Sequence, residues 1–238
     1  MKDVALDRLV YVDGLDLTCA ANQCDWTEEV DSLDSTTYCD GDTRTYIPGL
    51  RKSSVAFMGL FTEAAMPQRD LLGTTVVLTS TANPGTAGSP SFMASGLEAK
   101  WGLDSNIGQI IKTTATFDGQ GALGVTQGKL ILPSTVISAG ASTAGVQIVG
   151  GVASLGHLVG TLHCFAVSGG PTVTAIIESG SSGAFSSPTT VATFVDVTAS
   201  GAQKVSVAGP ITDTWFRLTY TISAGSATIA AAVGASAT

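Results

Sequence analysis

Two histidines and four cysteines are the side chains of this 238-residue chain best suited to act as bases, nucleophiles or metal ligands. His157 and His163 are six residues apart, which places them about 20 Å apart on a strand that rises ~3.3 Å per residue. That separation is too large for a shared metal ion. The cysteines lack the paired C-x2-C spacing of a structural zinc site; they are Cys19, Cys24, Cys39 and Cys164. We therefore predict packed or surface histidines, buried reduced thiols and no metal.

Other motifs match ligand sites only in part. The segment from Gly119 to Gly124 reads G-x-G-x-x-G, but no helical pattern follows it. The next acid after Asp118 is Glu178, far beyond the ~20 residues expected in a dinucleotide site, so we predict a glycine-rich β-turn. Asp40-Gly41-Asp42 lacks the downstream bidentate Glu of a calcium loop, and the chain has no G-x-S-x-G nucleophile elbow. We predict neither an enzyme nor a cofactor.

The negative charge is concentrated in the first 50 residues, which hold eleven acids against three bases and so carry the whole net charge of −8. Tight binding to nucleic acid needs clustered Lys and Arg that displace counterions from phosphates. An acidic segment repels DNA, so we predict no tight nucleic-acid binding. By itself, a solvated face that aids solubility explains these acids as well.

Short antiparallel strands are the predicted elements, because β-branched residues alternate with polar ones between Gly, Asn, Asp and Pro. In Trp215–Ser223, for example, Phe216 and Leu218 are expected on the core face. One short helix is predicted over Glu63–Leu72, with Thr62 as N-cap and Pro67 in its first turn. The strand candidates are Leu9–Val12, Ser53–Leu60, Thr74–Ser80, Ile110–Phe117, Gly128–Leu132, Leu158–Val167, Thr172–Glu178, Thr193–Val197, Lys204–Ala208, Trp215–Ser223 and Ala227–Val233.

A shift in composition predicts two β domains. No charged residue lies between Lys129 and Glu178, so we place a boundary near Pro133, a small-residue connector at 134–145, and a second domain at 146–238. No stretch of 18 strongly apolar residues predicts a membrane span. The acidic first residues do not read as a signal peptide, so we expect synthesis and retention in a cytosol.

Three phrases follow one another at 11–17 (YVDGLDL), 31–37 (DSLDSTT) and 44–59 (RTYIPGLRKSSVAFMG). In this order and spacing they resemble the major tail (tail tube) proteins of long-tailed, siphovirus-like bacteriophages. Members open with a V-[ND]-G-x-D-L strand and return in an R-x-Y-x-P-G-L strand. The resemblance covers roughly the first 130 residues. It implies a mainly β fold: an antiparallel, barrel-forming tube domain with one short helix at 1–133, followed by a second β-sandwich.

The resemblance also implies an assembly. Subunits of this family form rings, usually of six, whose inner sheets close into a barrel, and a long loop lies on the neighbouring ring. Here that loop is Glu29–Thr45, with Glu29, Asp31, Asp34, Thr37, Asp40 and Asp42 as stacking residues. Acids lining the channel would let DNA pass without being held. We assign this role to Asp13, Asp16, Glu28 and Asp34, with an outer solvated face as the equal alternative.

The implied protein is a virion structural subunit, assembled in the host bacterial cytoplasm, with tape measure and tail terminator proteins as partners and no membrane. The ring is a hexamer, or a trimer that uses both halves. Residues 146–238 resemble sandwich modules appended to phage structural proteins, and they also fit carbohydrate-binding sandwiches. A glycan-binding adhesin module is therefore the alternative function.

Overall fold

The computed structural model describes residues 8–37, 39, 43–82 and 85–236, without the side chains of Ala64 and Ala65. Over the described residues the chain is mainly β, as predicted, with one 3-10 helix at Glu63–Leu71. The strands are β1 Val10–Val12, β2 Leu15–Asp16, β3 Ala21–Asp34, β4 Tyr46–Leu60, β5 Thr75–Thr81, β6 Pro90–Asp104, β7 Lys112–Gln120, β8 Thr126–Ile137, β9 Ala141–Ser142, β10 Val146–Gln147, β11 His157–Ser168, β12 Val173–Gly180, β13 Thr189–Thr193, β14 Gly201–Ala208, β15 Trp215–Ile222 and β16 Ser226–Ser236. All of the strand pairs are antiparallel.

The first half is a sheet that folds over itself through the long strand β6. One layer has the order β3-β4-β7-β6, and the other runs from β6 through β5 and β1 to β2. Alternating apolar residues from both layers meet in one core, which includes Val12, Val55, Leu78 and Phe117. Because one face of each strand is buried, a slip by one residue would expose this whole set.

The second half is a sandwich of two sheets. Strands β8, β16, β11 and β14 form one layer, and β10, β15, β12 and β13 form the other, with β9 added to β15. Phe216, Leu218 and Ile177 are fully buried between the layers, so the core face predicted for Trp215–Ser223 is confirmed. Arg217 and Glu178, on the opposite face, form a 2.7 Å ion pair.

The two halves share a sheet. Strand β8 pairs with β6 of the first half and with β16 of the second, so the pairing continues across Pro133, which lies within β8. The predicted connector at 134–145 holds the end of β8 and the two residues of β9. Each half also has its own apolar core. The division into two domains at this boundary stays a prediction.

A buried joint lies between the halves. Tyr11 of β1 packs its ring against His163 and Phe165 of β11, with ring centres 5.6 and 4.9 Å apart. The His163 Nε2 lies 2.9 Å from Thr79 Oγ1, whose oxygen is 2.9 Å from Thr161 Oγ1. These hydrogen bonds connect β5 of the first half to β11 of the second.

The turn between β1 and β2 also contacts the second half. A Cβ at Gly14 would lie 2.5 Å from the Gly201 backbone nitrogen and 2.8 Å from the Cys164 carbonyl oxygen. Gly14 has φ +81°, a backbone conformation that glycine adopts without the Cβ penalty. Any other residue here would push the halves apart.

Several sequence predictions need correction. The short helix is of the 3-10 type and Thr62 is its N-cap, but Thr62 makes no side-chain capping bond and Pro67 lies inside the helix rather than in its first turn. Strands β3 and β6 were not predicted, and β13 ends at Thr193, where the candidate strand Thr193–Val197 was expected to begin. The glycine-rich segment after Asp118 does form the turn between β7 and β8, with positive φ at Gly121 and Gly124.

Candidate assembly surfaces

A two-stranded arm extends beyond the first-half sheet. Residues Ser54 to Gly59 of β4 pair with both β3 and β7, whereas the earlier residues of β4 pair with β3 alone. We call residues 29–34 of β3 and 46–52 of β4 the arm. Six residues of strand reach about 20 Å. Every residue of the arm except Gly49 is exposed, so no second layer covers it.

The arm displays apolar side chains to solvent. Its exposed members are Val30, Leu33, Tyr46, Ile47 and Leu50. Leu50 is 80% exposed. It lies beside a β-bulge opposite Asp31, where the register shifts between Val30 and Ser32. Pro48 and the bulge interrupt the ladder of β4, which discourages uncontrolled strand pairing on that edge. Leu33 and Ile47 form a cross-strand pair on one face of the ribbon, and Tyr46, paired with Asp34, lies on the other face. Apolar side chains exposed on an uncovered ribbon point to a contact surface.

Glu28 fixes the root of the arm. Its Oε1 accepts a hydrogen bond of 3.0 Å from the backbone nitrogen of Val125, in the turn between β7 and β8. Gly124 has φ +55°, and a Cβ there would lie 2.9 Å from the same oxygen, so a larger residue would displace the carboxylate. The carboxylate thus holds β3 to the neighbouring turn where the sheet ends and the arm begins.

Replacing Glu28 should loosen this root without unfolding the protein. In Glu28→Ala, we expect hydrogen exchange at the Val125 amide to rise on the order of threefold, because its acceptor is lost. Glu29→Ala is the matched control, since strand alternation places the Glu29 side chain on the other face. Equal exchange in wild type and both variants, measured by NMR, would show that the bond does not hold the turn.

The end of the sheet opposite the arm carries a second apolar group. Leu60 of β4 pairs with Lys112 of β7, and Asp104 of β6 pairs with the same lysine, so the turn between β6 and β7 lies at this end. The Phe61 backbone nitrogen donates to the Ile111 carbonyl at 3.0 Å. We call the exposed set here the base; it comprises Leu60, Leu103, Ile107, Ile110 and Ile111.

The four-stranded layer also has two open edges. Within the described residues, β3 pairs with β4 alone, and β6 has no partner along 99–104 on the side away from β7. Free edges offer unpaired N–H and C=O groups to another chain. The layer is therefore open on both sides, at strands that are not neighbours.

Only some of the predicted stacking residues lie on the arm. Glu29, Asp31 and Asp34 lie on β3 rather than in a loop, so the predicted loop Glu29–Thr45 begins as a strand. Thr37 follows the arm, and Asp40 and Asp42 lie outside the described residues. Their role in stacking stays a prediction.

The four acids predicted to face the channel occupy separate places. Asp13 and Asp16 lie at the hairpin of β1 and β2. Burial raises the pKa of Asp13, and the Asp16 carboxylate accepts a 3.1 Å bond from the Thr18 nitrogen. Glu28 holds the root of the arm, and Asp34 ends β3 about 20 Å further along the strand. The structure does not group these four acids.

The sequence did not predict that the face of the four-stranded layer that points away from the core carries acids. Register places Asp25 beside Ala56 and Asp118 beside Ser54 on this face, and both acids are exposed. Both residues are acids at the outward positions of an alternating strand pattern. For Asp25 this signal can be read only after β3 is recognised as a strand.

The candidate chemical residues lie apart from these surfaces. Cys24 and Cys164 are buried, but Cys19 and Cys39 are exposed, so the prediction of four buried thiols is wrong for two. His163 is buried, and desolvation lowers its pKa to about 3. Among the described residues, no three His, Cys, Asp or Glu side chains converge as metal ligands would.

Glu98 is a buried acid that the sequence did not single out. Its side chain is fully buried on β6, opposite Phe117 of β7, and burial raises its pKa to about 7. Neither carboxylate oxygen has a hydrogen-bond partner among the described residues. It belongs to the core rather than to an open site.

None of the helical segments in the described part of the chain is long and apolar enough to cross a bilayer. No family model and no curated protein matches this chain.

Three solved structures are similar to the chain. The tail of an empty gene transfer agent particle, refined with C6 symmetry, is 14% identical with a TM-score of 0.44 over 51% of this chain and 96% of that chain. The SPP1 tail tube is 9% identical with a TM-score of 0.41 over 51% and 74%. The SPP1 Dit protein, a hub component, is 14% identical with a TM-score of 0.34 over 96% and 98%. At these identities the likeness concerns the fold alone.

Proposed function

We propose that this protein is a virion structural protein, the major tail tube subunit of a siphovirus-like phage, which forms stacked rings around a DNA conduit. The observation that carries the proposal is the arm, an uncovered β-ribbon with five exposed apolar side chains. The phrases at 11–17, 31–37 and 44–59, which resemble tail tube proteins, build β1, β2 and this same arm.

Ring closure would use the open edges of the four-stranded layer. When β3 of one subunit lies beside β6 of the next, the layers join into one continuous sheet around the ring. Closing a sheet in this way removes both free edges. Six subunits per ring, or three that use both halves, are compatible with the open edges.

The face lining such a barrel suits a conduit for DNA. The layer's solvent face carries Asp25, Asp104 and Asp118, and on the same face register places Lys100 beside Thr116 and Lys112 beside Asp104. A lumen without clustered cations avoids the counterion-release affinity that several phosphate contacts produce. We propose that Asp25 and Asp118 supply the lumen charge on this face. A lumen role for Asp13, Asp16, Glu28 and Asp34, which lie on other parts of the structure, stays a prediction.

A glycan-binding role receives less support. Such modules commonly use aromatic platforms, and among the described residues Tyr46, on the arm, is the one exposed aromatic side chain. Trp215 of the second half is half-buried, and the ring of Phe185 is covered by Arg217 at 4.6 Å. The second half thus presents no aromatic platform.

The test is assembly of the purified protein. Negative-stain microscopy and analytical ultracentrifugation are expected to show rings or tubes. In Leu33→Ser/Ile47→Ser, we expect a folded subunit that needs at least about a tenfold higher concentration for assembly. Losing two apolar contacts costs roughly 1.4 kcal/mol or more at an interface.

Val149→Ser/Leu155→Ser is the control, because it removes two exposed apolar side chains from the second half. Its assembly should match that of the wild type. Wild-type protein that stays monomeric at every concentration, or an arm variant that assembles as readily as the control, would refute the proposed role of the arm.

A further inference from the structure

Glu98 is buried where β6 meets the turn that follows the 3-10 helix. Its side chain faces the core, because its cross-strand partner on β7 is the buried Phe117. The Glu98 backbone nitrogen donates to the Thr74 carbonyl at 3.1 Å, and its carbonyl accepts a 2.9 Å bond from the Gly73 nitrogen. Gly73 and Thr74 lie between the helix and β5, so the helix is connected directly to this residue.

The 3-10 helix covers this part of the core with unsatisfied polar groups beneath it. Its Leu71 packs against the core that contains Phe117, and its Gln68 is fully buried. Neither the Gln68 amide nor the Glu98 carboxylate has a hydrogen-bond partner among the described residues. A 3-10 helix has poorer hydrogen-bond geometry than an α-helix, and Pro67 inside it lacks a donor. Such a segment opens locally at low cost.

The carboxyl group of Glu98 is disfavoured in its charged form. Burial raises its pKa from 4.5 to about 7. β1 and β5 carry no charged residue, and the charged side chains of the other surrounding elements are exposed to solvent. They are Glu63, Arg69 and Asp70 on the helix, Asp16 on β2, Arg51 and Lys52 on β4, Lys100 and Asp104 on β6, and Lys112 and Asp118 on β7. An ionised Glu98 therefore has to gain water.

We propose that the protonated Glu98 side chain keeps the 3-10 helix closed on the core, and that loss of this proton to water opens the helix. β6 and β7 are held together by a ladder of backbone hydrogen bonds, so the helix is the neighbour that can move aside. Opening is favoured progressively from pH 4.5, the ordinary pKa, to the raised pKa of about 7, and changes little above it. This device acts within one subunit and goes beyond the proposed function, which concerns contacts between subunits.

Hydrogen exchange of the full chain tests this device, with residues 61–74 followed by mass spectrometry and corrected for the intrinsic rate at each pH. Between pH 5.5 and pH 8, we expect protection of the wild-type helix to fall about thirtyfold, because the open form ionises at the ordinary pKa. Glu98→Gln cannot ionise and should keep its protection. Glu63→Gln, the same change at an exposed acid of the same helix, should follow the wild type.

Carbon-13 NMR of the Glu98 carboxyl group in the wild type gives a reading that needs no variant. Titration near pH 7, together with the loss of helix protection, would support the device. Titration near pH 4.5, constant protection of the wild-type helix, or an equal loss of protection in Glu98→Gln would each overturn it. None of these measurements requires rings or tubes, so failure of the device and failure of the proposed assembly are distinguishable.

Discussion

A chain that ends at Pro133 is expected to lose its cooperative fold. The cut removes β16, the partner of β8 from Gly128 to Ile137, and leaves the β8 edge open. It also uncovers Tyr11, Leu130 and Ile131, each at most 1% exposed in the whole protein. Exposing three large side chains costs about 5–9 kcal/mol, which is comparable to the total stability of ~5–15 kcal/mol typical of a domain.

Circular dichroism and thermal unfolding of the truncated chain measure this outcome. The control is co-expression of the truncated chain with residues 134–238, which should restore a soluble complex if the shared sheet is the cause. A truncated chain that unfolds in a sharp transition near the wild-type temperature would instead support two separately folding domains at the predicted boundary.

Sequence patterns located most strands because one face of each is buried. Phe216 and Leu218 lie on the core-facing side of β15, where strict alternation predicted them. β3 was not predicted because its outer part forms the arm. A ribbon without a covering layer needs no apolar face, and the acids of this segment therefore suggested a loop. β6 was not predicted because it belongs to two layers, which disturbs its alternation, and because the buried Glu98 places a charge where none is expected.

The assembly surfaces were partly visible in the sequence. The resemblance drew attention to Glu29–Thr45, and the arm begins in that segment. The base was not predictable, because its apolar residues come from β4, β6 and the turn before β7, which are brought together only by register. The hydrogen bond from Val125 to Glu28 links residues 97 positions apart, which no local pattern indicates.

The joint between the halves should make the protein sensitive to acid through His163. Desolvation lowers the pKa of this buried imidazole to about 3, below its ordinary value of 6.5. Above pH 6.5, both the folded and the unfolded chain hold a neutral ring. Below pH 6.5, the unfolded chain binds a proton that the folded chain cannot accept, so stability falls by about 1.4 kcal/mol per pH unit until pH ~3. Between pH 7 and pH 4.5 the loss from this residue amounts to about 3 kcal/mol.

Urea unfolding of wild type and His163→Gln at pH 7 and pH 4.5 isolates this contribution. The glutamine amide can hydrogen-bond to the Thr79 hydroxyl as donor or acceptor but does not titrate, so the variant should lose about 3 kcal/mol less than the wild type over this interval. His157→Gln, on the same strand but half-exposed, is the matched control and should follow the wild type. If the pH dependence of His163→Gln equals that of the control, then His163 either gains a proton in the folded chain or meets water there. The neutral, desolvated joint described above would then be wrong.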